Sequence, residues 1–127
     1  MKIGLDFHGV ITAIPMFFAM LTKMLVDNDH EVHILTGQKD CEKIRKQLED
    51  YSIKYTHFFS ITTYHEGIGT KVTYDKKGNP WMDDEIWDRT KGDYCRENRI
   101  DFHFDDSDTY GKYFTTVYIK ITTAPVV

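Results

Sequence analysis

The segment Lys2–Thr12, KIGLDFHGVIT, ends a short apolar run on a carboxylate, Asp6, and sets an imidazole, His8, two positions later. A second apolar run, IDFHF, stops at an acidic pair, Asp105-Asp106. A third, EVHIL, stops at Thr36-Gly37. Carboxylates gathered near one point repel each other strongly when partly buried. A divalent cation is the simplest remedy, and an all-oxygen ligand set from Asp6, Asp105 and Asp106 favours Mg²⁺ over zinc or copper. Such an ion keeps waters and takes substrate phosphate. Thr36 offers a hydroxyl and Gly37 a backbone N–H at the start of the next helix, which suits a phosphate oxygen; the same pair also reads as a plain helix cap. Lys91, opening a later helix, would neutralise that phosphate and hold Asp6 ionised. Lys71 takes its place if the segment around it folds inward.

These residues need elements that bring them together. Lys2–Leu5 reads as a short buried strand. Pro15 opens a helix at its first position, and Phe17, Met20, Leu21, Met24 and Leu25 recur on it as an apolar stripe. Glu31–Leu35 is a second strand. A second helix runs from about Asp40 to Tyr51, with Cys41, Ile44, Leu48 and Tyr51 on one face. Lys54–Ile61 is a third strand. Tyr64–Trp87 breaks the alternation: Gly67, Gly69, Gly78 and Pro80, with YDKKGNPW resembling a hairpin, mark it as an insertion. Thr90 with Asp93 reads as a helix cap, giving a helix from Lys91 to about Asn98; a single helix starting near Asp83 is the alternative. Ile100–Phe104 and Thr115–Ile121 are the last two strands.

That order predicts one α/β domain over residues 1–127, a Rossmann-like open parallel sheet in three layers. Ligands of such sheets gather at the carboxyl ends of the strands. Asp6, Thr36, Asp105 and Asp106 all fall at that edge.

In these residues the chain resembles the haloacid dehalogenase (HAD-like) superfamily of phosphohydrolases. Asp6-Phe7-His8-Gly9-Val10-Ile11-Thr12 is similar to its first motif, usually Asp-x-Asp-Gly with apolar residues and Thr following. HILTG, Lys91 and HFDDSD stand in order for the other three. The resemblance spans about Lys2 to Ile121. It implies a Mg²⁺-dependent phosphomonoesterase in which Asp6 attacks phosphorus and water then hydrolyses the aspartyl-phosphate. It further implies Mg²⁺ on the Asp6 carboxylate, the His8 carbonyl and Asp105 or Asp106, with Thr36, Gly37 and Lys91 on the phosphoryl oxygens. The departure is His8, where the family usually carries a second aspartate that protonates the leaving oxygen and later activates water. Imidazole titrates near neutrality and is able to do either step, but nearby Mg²⁺ and Lys91 disfavour its protonated form, so a competent base and a poor acid are expected. The alternative is a weak or inactive phosphate- or metal-binding module on the same fold. The 64–87 insertion occupies a position where the family carries a cap, but it is small. Tyr74, Trp81 and Trp87 are candidates there for a stacking surface or for packing the hairpin onto the body. The open site suits nucleotides, phosphorylated polynucleotide ends and small phosphate esters.

Bulk properties fit these expectations. A net charge of −4 disfavours wholesale nucleic-acid binding through a basic face. The two cysteines have no metal-type spacing, which with the strand-like N-terminus points to a reduced, cytoplasmic protein. The most apolar run, Ile14–Val26, is too short to span a bilayer and contains Lys23, so no membrane association is expected. His30, His33, His57, His65 and His103 lack ligand spacing, and the strand histidines read as packed or hydrogen-bonded. A two-component receiver domain is a weaker rival, because the middle strand ends near Thr62 and Thr63 where that domain needs an aspartate.

Overall fold

A computed structural model describes residues 1–123. Five short strands form one parallel sheet: β1 (Lys2–Leu5), β2 (Glu31–Thr36), β3 (His57–Ser60), β6 (Phe102–Asp105) and β7 (Val117–Lys120). The spatial order is β3-β2-β1-β6-β7. Register places Leu5 beside Ile34 on one flank and beside Phe104 on the other. The ladder continues past β1, where the Asp6 N–H donates to the Phe104 carbonyl at 3.0 Å. Consecutive strands first step outward in one direction from β1 and then in the other, so the order reverses between β1 and β6. A crevice opens at the carboxyl end of a sheet at such a reversal. Asp6 and Asp105 are the residues on its two sides.

Helices α1 (Pro15–Asp27), α2 (Glu42–Asp50), α3 (Ile61–Gly67), α4 (Asp84–Glu97) and α5 (Asp108–Gly111) flank the sheet, and a two-strand antiparallel hairpin, β4 (Thr73–Tyr74) with β5 (Pro80–Trp81), stands apart from it. Alternation along β2 explains the layers, since successive side chains leave a strand on opposite faces. Val32 and Ile34 pack with Phe18 and Leu25 of α1 and with Ile44 and Leu48 of α2. Leu35 packs on the other face with Cys95 of α4, Ile100 and Phe59. Both faces are covered, which is why these strands read as nearly continuous apolar runs.

Several boundaries differ from the sequence expectation. The third strand spans only His57–Ser60, because Ser60 accepts the Thr63 N–H at 3.0 Å and starts α3, a helix absent from the sequence reading. The insertion therefore shrinks to the hairpin: its first residues finish α3 and its last begin α4. That helix is the longer alternative, capped by Asp83, whose carboxylate accepts the Ile86 N–H at 3.1 Å. Thr90 caps nothing; it lies inside α4 and donates to the Ile86 carbonyl. The α1 stripe is also rotated. Phe18, Thr22 and Leu25 form the buried face, Leu21 packs against it, and Phe17, Met20 and Met24 are exposed. The Thr22 hydroxyl closes onto the Phe18 carbonyl at 2.6 Å, so a polar residue sits inside without an unmet hydrogen bond. Cys41 is an exposed residue before α2 rather than part of its apolar face. No helix among the described residues is long and apolar enough to cross a membrane.

Candidate active site

The chain turns sharply after β1. The Thr12 N–H reaches back to the Phe7 carbonyl at 3.2 Å, and Gly9 takes φ 78°, a conformation that L side chains rarely adopt. Glycine is needed there for space as well: a Cβ on Gly9 would lie 2.0 Å from Oδ2 of Asp106. The turn buries Phe7, Val10 and Ile11 and leaves Asp6 at the strand end, only 7 % exposed.

Lys91 lies on the third turn of α4, the helix that covers this face of the sheet. Its stem is buried and its ammonium reaches the strand edge, 2.9 Å from Oδ1 of Asp6 and 2.9 Å from Oδ2 of Asp105. The Tyr110 ring lies under the same nitrogen, 5.1 Å to its centroid. Asp105 is saturated. Its Oδ2 also accepts from His103 Nε2 at 2.9 Å, and its Oδ1 accepts the Asp106 and Ser107 N–H groups. Asp6 is not. Its Oδ1 takes the Phe7 N–H and Lys91, and among the described residues its Oδ2 has no hydrogen-bond partner. Asp106 is exposed, and a carboxylate oxygen from each of Asp6, Asp105 and Asp106 lies within 4.8 Å of the others.

The protonation pattern follows. Burial pushes the Asp6 carboxyl up, Lys91 pulls it back, and repulsion from Asp105 adds to the rise, leaving it near 7. Burial also opposes the charge on Asp105, but the His103 bond and Lys91 outweigh it and hold that carboxyl well below the usual range. For Lys91 burial favours the neutral amine, and attraction to Asp6 and Asp105 wins, so it stays charged. One ammonium thus serves two carboxylates at equal distance, and only Asp105 has further donors on both of its oxygens.

Thr36 is buried at the end of β2, and its Oγ1 accepts the Gln38 N–H at 3.1 Å, leaving its own proton to donate. The Thr36–Gln38 loop is tied from the junction of β3 and α3: Thr62 donates to the Gly37 carbonyl at 2.6 Å and Ser60 to the Gln38 carbonyl at 2.7 Å. The expected helix start at Thr36-Gly37 is not there. Helix α2 begins at Glu42, so the loop rather than a helix terminus presents these groups. Gly37 is needed because the Trp87 ring lies against it; a Cβ there would come within 2.5 Å of Cζ2. His8 is exposed, its ring stacks beside Phe7, and its Nε2 lies 3.0 Å from Oε1 of Gln38.

Asp6, His8, Thr36, Gly37, Lys91 and Asp106 all line one cleft of about 700 Å³. Asp105 forms its buried support. Tyr74 and Trp87 line the cleft, whereas Trp81 and Lys71 line a different hollow on the far side of the hairpin. The three candidate rings are therefore divided between two hollows, and Lys71 is no substitute for Lys91. The sequence reading missed the His103 support of Asp105, although the spacing His-x-Asp on one strand puts both side chains on one face. It also missed Gln38, Tyr110 and the lysines Lys39, Lys43 and Lys77 of the cleft, which carry no spacing signal.

An oxygen-rich cluster of this kind fits a hard divalent cation. Asp6 Oδ2 and Asp106 are the available donors, while the oxygens of Asp105 are already engaged. Compared with protein-family models, with curated proteins and with solved structures, the chain matches none.

Proposed function

We propose that the chain is a phosphohydrolase acting on phosphate monoesters through an aspartyl-phosphate on Asp6. The observation that carries the reading is the unequal hydrogen bonding of the two carboxylates that share Lys91. Asp105 and Lys91 form a fixed, buried base, and Asp6 is anchored by one oxygen with the other open to the cleft. A nucleophile needs that arrangement: orientation from one side and an unbonded lone pair on the other. The open Oδ2 attacks phosphorus, the ester bond breaks, and the departing alkoxide takes a proton. Water then attacks the acyl-phosphate and returns the carboxylate with inorganic phosphate. Lys91, by turning an N–H from a carboxylate to a phosphoryl oxygen, and the Thr36 hydroxyl offset the charge that spreads over those oxygens. His8, at the mouth of the cleft, is the group able to move a proton to the leaving oxygen or from water.

Asp106 and the His8 carbonyl, with the Asp6 carboxylate, are the groups that would hold Mg²⁺, which supplies charge stabilisation to the phosphoryl group when bound. A second reading, a binding module that does not turn over, draws on His8 itself, which is tied to Gln38 rather than to another ionisable group.

One experiment separates the two. With Mg²⁺ and an aryl phosphate, wild type is expected to release phosphate, and Asp6→Asn to lower kcat/KM by about three orders of magnitude or more. Turnover that survives Asp6→Asn would overturn the assignment of the nucleophile. Phosphate binding without turnover in wild type would favour the module.

A further inference from the structure

The cleft above Asp6 is lined by more lysines than a single phosphoryl group requires. The chain as a whole carries −4. The cleft is lined by Lys39, Lys43, Lys77 and Lys91 together with Asp6 and Asp106; among the described residues Lys43 and Lys77 have no carboxylate partner. Lys91 is consumed by Asp6 and Asp105. The other three surround the mouth from separate elements. Lys39 follows the Thr36–Gln38 loop, Lys43 lies in the first turn of α2, and Lys77 sits at the tip of the hairpin. Lys43, a cation at a helix start, is on the wrong side of the helix dipole for stability. Lys39 is held by Glu66 at 3.4 Å, over Tyr74, whose hydroxyl donates to the same carboxylate. This contact also ties the hairpin to α3. The volume, about 700 Å³, exceeds what a phosphoryl group and a small alcohol fill and lies in the range of sites for nucleotide-sized ligands.

We propose that the leaving-group side of the cleft is an anion subsite formed by Lys39, Lys43 and Lys77, and that the substrate is an organic phosphate ester carrying a second phosphate. The scissile group rests at Asp6 and the second lies among the three lysines. Such chemistry occurs in small bisphosphates and at a phosphorylated polynucleotide end, where the next phosphodiester takes the same place. The inference rests on the phosphohydrolase reading for turnover, but not for binding.

Binding to the Asp6→Asn chain in Mg²⁺, measured by calorimetry, tests the subsite without catalysis. Adenosine 3′,5′-bisphosphate is expected to bind about tenfold or more tightly than adenosine 5′-monophosphate, with a steeper loss of affinity as salt rises. Adding Lys43→Gln and Lys77→Gln in that background should bring the ratio towards one. A 5′-phosphorylated dinucleotide that matches the bisphosphate would assign the polymer source; one that binds no better than the monophosphate would assign the small molecule. Equal affinity for mono- and bisphosphate, or a preference that survives the double substitution, would overturn the proposal. A lysine-dependent preference in a chain whose wild type hydrolyses none of these would overturn the catalytic reading and leave the subsite standing.

Discussion

Asp6 and Asp105 are chemically identical side chains set to opposite states by their hydrogen bonds. Asp105 accepts four, so its charge is well supported; Asp6 accepts two on one oxygen and is largely desolvated. The sign of the Asp6 contribution follows. Its folded value near 7 lies above its ordinary value of 3.8, so the native state keeps a proton that the unfolded chain has lost. Stability from this source is full below pH 3.8 and is lost as pH rises to about 7. Asp6→Asn, which keeps the shape and removes the titration, is therefore expected to melt higher than wild type at pH 8. The gain should shrink towards pH 4, as followed by thermal unfolding across that range. Lys91→Met tests the other partner. Breaking a buried ion pair from one side costs about 3–5 kcal/mol, so urea unfolding at pH 7 should show a loss of that order. The loss should lessen at pH 5, where a freed carboxylate takes up a proton.

At the scale of elements, the site depends on α4 more than on any strand. This helix delivers Lys91 to the sheet edge, Trp87 to the loop after β2, and Cys95 to the core. Trp87 is clamped between Gly37 and Tyr110, whose hydroxyl accepts the indole N–H at 2.8 Å. Gly37→Ala drives a methyl into the Trp87 ring, which must shift and give up its place against Tyr110. It is expected to cost about 1–3 kcal/mol in chemical denaturation and to raise KM for a phosphate ester, because the displaced indole moves into the cleft or pushes the Thr36–Gln38 loop away. The sequence showed this helix only ambiguously. Two caps were available, Asp83 and Thr90, and the modest capping preference for aspartate over threonine is too small to decide between them. Packing chose the longer helix, since Thr90 is buried within it and also meets His65 at 2.8 Å. The phase error on α1 has the same origin. Methionine and phenylalanine define a stripe by hydrophobicity, yet Thr22, with its hydroxyl satisfied inside the helix, fills the buried position.

For the whole molecule, the core and the hairpin are separable. Both apolar clusters consist of residues from the parallel sheet, its helices and the loops that join them, and the strands β4 and β5 contribute to neither. Replacing residues 71–81 by a short Gly/Ser linker is therefore expected to leave the melting temperature within a few degrees, because no core side chain is lost. A cooperative loss of fold on that replacement would show instead that the hairpin is an integral part of the domain. The cleft, in contrast, is assembled from β1, the loop after β2, α2, the hairpin, α4 and the segment after β6. Its chemistry belongs to no single element.

The sequence by itself determined the α/β order, the buried strands and the carboxylates at their ends. Each of these follows from local rules: side-chain periodicity, turn residues, and the tendency of polar groups to end an apolar run. Only the tertiary structure decided how charge is divided at the strand edge, which oxygen of Asp6 is free, and which aromatic rings face the cleft. Those outcomes depend on distances between residues far apart in the chain. Electrostatic and hydrogen-bond energies change within an ångström or two, a scale that spacing along a sequence does not record.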